Sequence, residues 1–189
     1  MKKYIILAVW RLLMSTALFS QTIYSFDKYH SRLTFSAFHL GISSVEGIFR
    51  IFEVTLVSEK DDFSDAQITL VADVRSVSTE VEIRDNELRE KWFETFKFPT
   101  MNFKSTSFRK VGDRDYKLTG NITIHGVTKP ITFDVVYNGK AKNPFSQKYS
   151  HGFTITGKLD RNAFGIGKET LPTVSARIGV RSNVEFVID

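Results

Sequence analysis

The chain has no cysteine. No disulfide braces the fold and no thiol is available as nucleophile or metal ligand. The acylated-lipoprotein route to a membrane is also closed, because it starts from a cysteine. Other absences are as informative. There is no G-x-S-x-G elbow to raise a nucleophilic serine. The four histidines, His30, His39, His125 and His151, form no H-x-x-H or H-E-x-x-H spacing, so the chain carries no zinc motif. The run Gly165-Ile-Gly167-Lys168-Glu169 only half matches a phosphate loop. Glu169 stands where Ser or Thr is needed, and Asn162 where the first glycine belongs. Asp61, Asp62 and Asp113 sit in polar turns without a partner at catalytic spacing. These gaps predict a protein with no catalytic residues, no metal and no cofactor.

What the chain has begins with its first twenty residues. Lys2 and Lys3 precede two apolar stretches divided by Arg11, and Ser15, Ala17 and Ser20 offer small residues for cleavage. This pattern predicts a secretory signal over 1–20, a single domain over 21–189, and a periplasmic or secreted product. Downstream, no apolar run approaches the roughly 20 residues a membrane helix needs. Lys2, Lys3 and Arg11 are the only charges in the leader. Without them Lys+Arg falls from 26 to 23 against 21 Asp+Glu, and the net charge from +5 to about +2. A near-neutral surface without a basic run excludes nucleic acid as an expected partner.

Beyond the leader there is no linker, repeat or low-complexity tract. Alternating apolar and polar residues predict strands over 23–28, 32–40, 44–58, 66–76, 101–109, 116–124, 129–137, 149–159 and 174–188. Turns are expected at 111–113, 138–139, 143–144 and 171–172, where Gly, Asn, Asp or Pro cluster. The segment 79–92 breaks the period. It is rich in Glu and Arg, and Val81, Leu88 and Trp92 fall on one helical face. So many antiparallel strands with one short helix predict a mainly β fold closed into a barrel, because closure removes exposed edges. An eight-stranded barrel is just wide enough to be filled by side chains or to hold one small ligand. Ala37, Gly47, Ser105, Gly120 and Gly157 either taper a filled core or leave room in it; alternation leaves both open.

Four segments stand out in order. The opening is Asp27-x-x-His30-Ser31, Phe35, His39-Leu40-Gly41-Ile42-Ser43, Val45 and Gly47-x-Phe49. Arg84-Asp85-x-x-Leu88, Trp92-Phe93, Phe98-Pro99 and Phe103-x-Ser105 follow. Then come Gly120-x-Ile-Thr-Ile-x-Gly126-Val-Thr-Lys-Pro130 and Arg161-x-x-Phe164-Gly165-Ile166-Gly167. Over about residues 22–188 these segments resemble the YceI-like proteins, a lipid- or polyisoprenoid-binding family of secreted bacterial proteins. Two departures lie near the expected cavity entrance. Glu87 stands where the family commonly has His, and 88–99 is one residue short, with Trp92-Phe93 in place of a Phe pair. The resemblance implies an extended, lipocalin-like, eight-stranded antiparallel barrel with a short α-helix around 79–92. It also implies an apolar tunnel for an isoprenoid, isoprenoid quinone or fatty lipid, and no established catalysis.

The chain is rich in Phe, with 17, and most serve a core in any fold. A subset is expected to line the tunnel: Phe35, Phe49, Phe103, Phe133 and Phe153 at alternating strand positions, with Leu70 and the rim residue His39. The cluster Trp92, Phe93, Phe96 and Phe98 is the expected mouth or lid. Arg84 and Arg161 are the head-group candidates, with Arg89, Lys91 and Lys168 as further cations. The expected partner is an amphiphilic lipid, with transient membrane contact. A homodimer is left open. An enzyme or metalloprotein would require His30, His39 or His151 to converge with carboxylates. A filled barrel would act through its surface.

Overall fold

The computed structural model describes residues 22–167 and 173–188. The signal expected over 1–20, Lys168 and the turn expected at 171–172 lie outside the described residues. Eleven strands carry the fold: β1 Thr22–Phe26, β2 Arg32–His39, β3 Ser43–Phe49, β4 Phe52–Ser58, β5 Gln67–Asp73, β6 Val77–Ser78, β7 Thr100–Lys110, β8 Asp115–Ile124, β9 Val127–Lys142, β10 Tyr149–Asp160 and β11 Arg177–Ile188. Helix α1, Glu82–Glu87, runs on into a π turn, Leu88–Trp92.

The sheet closes because β1 pairs with both β4 and β11. The result is a closed antiparallel barrel of eight staves. Five staves are continuous strands. The other three, β1 with β2, β3 with β4, and β5 with β6, are each bent in the middle. The bends lie side by side. Ile51 N donates to Ser76 Oγ at 3.0 Å, Asp73 N to Ile51 O at 2.9 Å, and Asp27 N to Glu185 O at 2.9 Å.

The bends have a cause that the residues display. Side chains alternate strictly along a strand, yet the inward positions change parity at each bend. Tyr24 and Leu33 are both buried, as are Phe49 and Val54, and Val74 and Val77. An unbroken strand cannot turn both members of such a pair inward. The strand expected over 44–58 is therefore divided at 50–51, and the one expected over 66–76 stops at Asp73, with a short helical turn over Val74–Ser76 before β6. In β7 a bulge between Ser105 and Ser107 does the same work, carrying the inward set from Phe103 to Phe108.

The turn expected at Asn138-Gly139 does not form. Chain reversal waits until 143–148, where Asn143 Oδ1 accepts from Phe145 N and Ser146 N. Gly139 instead stays in β9 with φ +126°, opposite a register shift between Gly152 and Phe153. Glycine here permits an irregular strand rather than a reversal.

Helix α1 follows β6 in the chain, and with the π turn after it borders the barrel's cavity through Arg84, Glu87, Leu88 and Trp92. Its start is fixed by Asp85, whose buried carboxylate accepts from Thr79 N at 2.7 Å and Thr79 Oγ1 at 2.5 Å. Replacing Asp85 with Ala leaves both donors without that acceptor. Asp85→Ala is expected to cost about 1–3 kcal/mol, read as a lower urea midpoint with the barrel's far-UV spectrum retained.

Candidate functional site: an apolar cavity inside the barrel

The barrel is not filled. It holds a cavity of about 700 Å³, inside the roughly 300–1,000 Å³ range of small-molecule sites. Phe35, Phe49, Leu70, Phe103, Phe133 and Phe153 all line it. So do Trp92 and Phe93 at the end of the helix, and His39 at the end of β2. Two residues expected in the same cluster do not. Phe96 is fully exposed. Phe98 turns to the β8–β9 turn, its ring 4.4 Å from that of His125, outside the cavity wall. The segment after the helix bends away from the lumen at Glu94, which has φ +43°.

Three glycines keep the lumen open. A Cβ on Gly47 would stand 2.2 Å from Phe35 Cζ. One on Gly120 would stand 2.5 Å from Phe103 Cζ, and one on Gly157 would stand 2.4 Å from Phe133 Cδ1. Each ring rests on the bare backbone of the neighbouring strand. Rings that would otherwise occupy the lumen become its wall. Gly157→Ala must push the Phe133 ring inward, and overpacking of this kind costs about 1–3 kcal/mol. The expected result is a lower urea midpoint together with loss of the longest ligands from a graded series of fatty chains.

Polar groups gather at the end carrying α1 and the β2–β3 turn. His39, Ser43, Thr79, Arg84 and Glu87 border the cavity there. Arg84 does not pair with Asp85; both converge on Thr79. Arg84 Nε donates to Thr79 Oγ1 at 2.7 Å and Nη2 to Thr79 O at 3.1 Å, which holds the guanidinium at the rim. Glu87 lies 3.8 Å from Lys91 Nζ, one turn on, and both are well exposed.

Arg161 is placed differently. It is 2 % exposed, and its guanidinium donates to four carbonyls: Ser175 O at 3.1 Å, Ile166 O at 2.8 Å, Gly167 O at 2.6 Å and Val174 O at 2.9 Å. Its flat face lies over Trp92, 5.0 Å from the ring, a cation–π contact. Burial draws this guanidinium below its ordinary value, with Asp160 acting the other way. The side chain ties the 161–167 turn to the start of β11 and to the helix end. Gly167 completes the joint, since a Cβ there would stand 2.6 Å from the indole. Arg161→Met would strip four carbonyls of their donor. A loss of about 3 kcal/mol or more is expected, measured by urea unfolding.

The opposite end is shut by a residue that sequence reasoning missed. Phe63, in the loop between β4 and β5, is 1 % exposed. Its ring meets Tyr24, Tyr137, His151 and Phe153 at centroid distances of 5.1–5.6 Å. The one signal for it was a lone Phe in an otherwise polar stretch.

The histidines do not converge on the cavity. His30 is exposed and bonds Asp27 Oδ2 at 2.8 Å through Nδ1. With Glu185 these form the one His-carboxylate group of metal-ligand reach among the described residues, and none of the three lines the cavity. His125 bonds Glu94 at 2.9 Å, and His151 belongs to the closed end.

Fold and site together define a closed β-barrel enclosing one elongated apolar chamber. The YceI-like domain model matches residues 24–186, and the chain belongs to that family. A UPF0312 protein of Staphylococcus aureus strain N315 is 35% identical over 159 residues, 84% of this chain and 91% of its own. The crystal structure of a Campylobacter jejuni YCEI protein superposes with a TM-score of 0.72 at 32% identity, over 80% of this chain and 89% of that one. A polyisoprenoid binding domain from Saccharophagus degradans shares the fold, with a TM-score of 0.66 at 16% identity, over 88% of this chain and 98% of that one.

Proposed function

We propose that this protein binds one lipid with a long apolar tail, of isoprenoid, isoprenoid-quinone or fatty-acid type, and carries it through an aqueous compartment after export. The observation that carries this reading is the cavity of about 700 Å³ with its almost wholly hydrocarbon wall and polar rim. Its wall suits a tail, and its rim suits a head. The polyisoprenoid-binding neighbour from Saccharophagus degradans is in keeping with it.

The energetics favour carriage over permanent storage. Each methylene leaving water gains about 0.8 kcal/mol. A membrane is as apolar as the cavity, so exchange between the two is nearly balanced. Loading therefore has to occur at a membrane. Phe38, Leu40 and Ile42 at the β2–β3 turn, with Ile83 on α1, are 53–83% exposed beside the cavity mouth, and they suit transient contact with lipid.

Arg84 is the head-group ligand in this reading, since the Arg161 donors are directed to carbonyls. Arg84→Glu is expected to reduce the ratio of anionic-lipid to neutral-lipid affinity about tenfold or more, the worth of one charge-assisted hydrogen bond. Titration of vesicle-delivered lipids measures that ratio.

The deciding experiment is mass spectrometry of an organic extract of the exported protein, purified gently from its native host. One amphiphile per chain is expected. No bound lipid, together with no uptake of hydrophobic probes, would end the proposal.

A further inference from the structure

We propose that the closed end of the barrel is a plug, with Phe63 as its stopper and His151 as its proton-sensitive seat, and that acid opens it. The inference rests on the floor of the cavity and not on which molecule fills it.

The seat is built for a neutral imidazole. His151 is 5% exposed. Its Nδ1 shares a hydrogen bond with Tyr137 Oη at 2.9 Å, and its Nε2 has no partner. The rings of Tyr24 and Phe63 stand edge-on to it, 5.7 and 5.2 Å away, and Tyr137 stacks at 5.8 Å. A second proton would place a charge among these rings with no acceptor at Nε2.

The titratable and charged groups around His151 are few. β1 supplies the Tyr24 hydroxyl. β9 supplies the Tyr137 hydroxyl and Lys140, which is directly opposite in register. β11 supplies only Phe186 in register, and the β4–β5 loop supplies Asp61. Burial is the main influence lowering the His151 pKa; Lys140 adds to it and Asp61 opposes it.

The stopper is itself under tension. Phe63 has φ +58°, a backbone setting that a bulky residue rarely adopts. It is held there by its loop. Asp65 accepts from Ser58 Oγ at 2.6 Å and Glu59 N at 2.9 Å, and Tyr116 Oη donates to Asp62 O at 2.8 Å. Lifting Phe63 relieves the backbone and gives Nε2 to water, at the loss of four ring contacts.

The sign follows from the depressed folded value. The closed floor keeps its full stability above the ordinary imidazole value of about 6.5. It loses stability as pH falls from there toward the folded value of His151. Within that window the opening equilibrium rises about tenfold per pH unit.

Amide hydrogen exchange on the full chain tests this without any ligand. The reporters are the Phe63 and Ala66 amides, which bond Lys60 O and Phe63 O. Corrected for intrinsic rate, their protection should fall about tenfold per pH unit below about 6.5, while the β8 and β9 amides hold. In His151→Phe the fall should vanish. If that variant does not fold, Phe63→Ala serves instead, and there the His151 ring should titrate near its ordinary value. Unchanged Phe63 and Ala66 protection while the His151 ring titrates would overturn the plug. So would an equal fall in His151→Phe, or a His151 that stays depressed in Phe63→Ala.

Discussion

The rest of the structure depends on keeping the middle of an eight-staved barrel open when its inner surface is hydrocarbon. At about 24 cal/mol per Å³, a dry void of 700 Å³ would cost on the order of 15 kcal/mol, as much as the whole stability of a domain. Ordinary sequences escape this by filling the space. Here the usual fillers are held against the wall, because Phe35, Phe103 and Phe133 each lie on a glycine of the next strand. Three glycines thus hold open the space that the proposed lipid would fill.

That space has an open rim and a shut floor, and the two are built by different physics. At the rim the frame is directional hydrogen bonding. Arg161 gathers carbonyls from both sides of the late turn and supports Trp92. His125 bonds Glu94 and approaches Phe164 O at 3.2 Å, and Phe98 packs onto His125 and Gly126. At the other end the closure is aromatic packing around Phe63. Directional bonds fix a rim to a shape. Packed rings yield when one member changes charge or leaves.

Much of this was legible in the chain. Alternation in 129–137 put Phe133 and Val135 inside, and the helical face of Leu88 and Trp92 meets the cavity. The segments that carry the family likeness turn out to meet one another. Arg161 to Gly167, Trp92, and the His125-Gly126 turn form a single joint at the rim, which explains such specific residues in a protein without catalytic motifs. Less legible were the bends. Their signal was the parity change between Phe49 and Val54, which a reader scanning for unbroken period two passes over. Phe96 and Phe98 were misplaced because aromatic density in sequence says nothing of chain direction, and the chain reverses at Glu94. Phe63 and His151 were hidden for another reason. Their contacts join a loop to β1, β9 and β10, and no local pattern encodes such a meeting.

The asymmetry of the ends would also orient the proposed lipid. A tail entering past Phe93 and Phe49 would meet a wall that is mostly apolar as far as Phe153 and Phe186, with Thr34 and Ser182 among its few polar side chains. Beyond them stand Phe63, Tyr137 and His151, whose Nε2 is the one unpaired polar atom among those rings. A polar head buried there would exchange its hydration for ring faces and at most one imidazole nitrogen, a loss of about a few kcal/mol for the groups left unpaired. At the rim the same head meets Arg84, Ser43, His39 and water. For the proposed lipid, tail-in and head-out is thus the favoured pose, and in it the molecule would enter from a membrane, and return to one, without turning around.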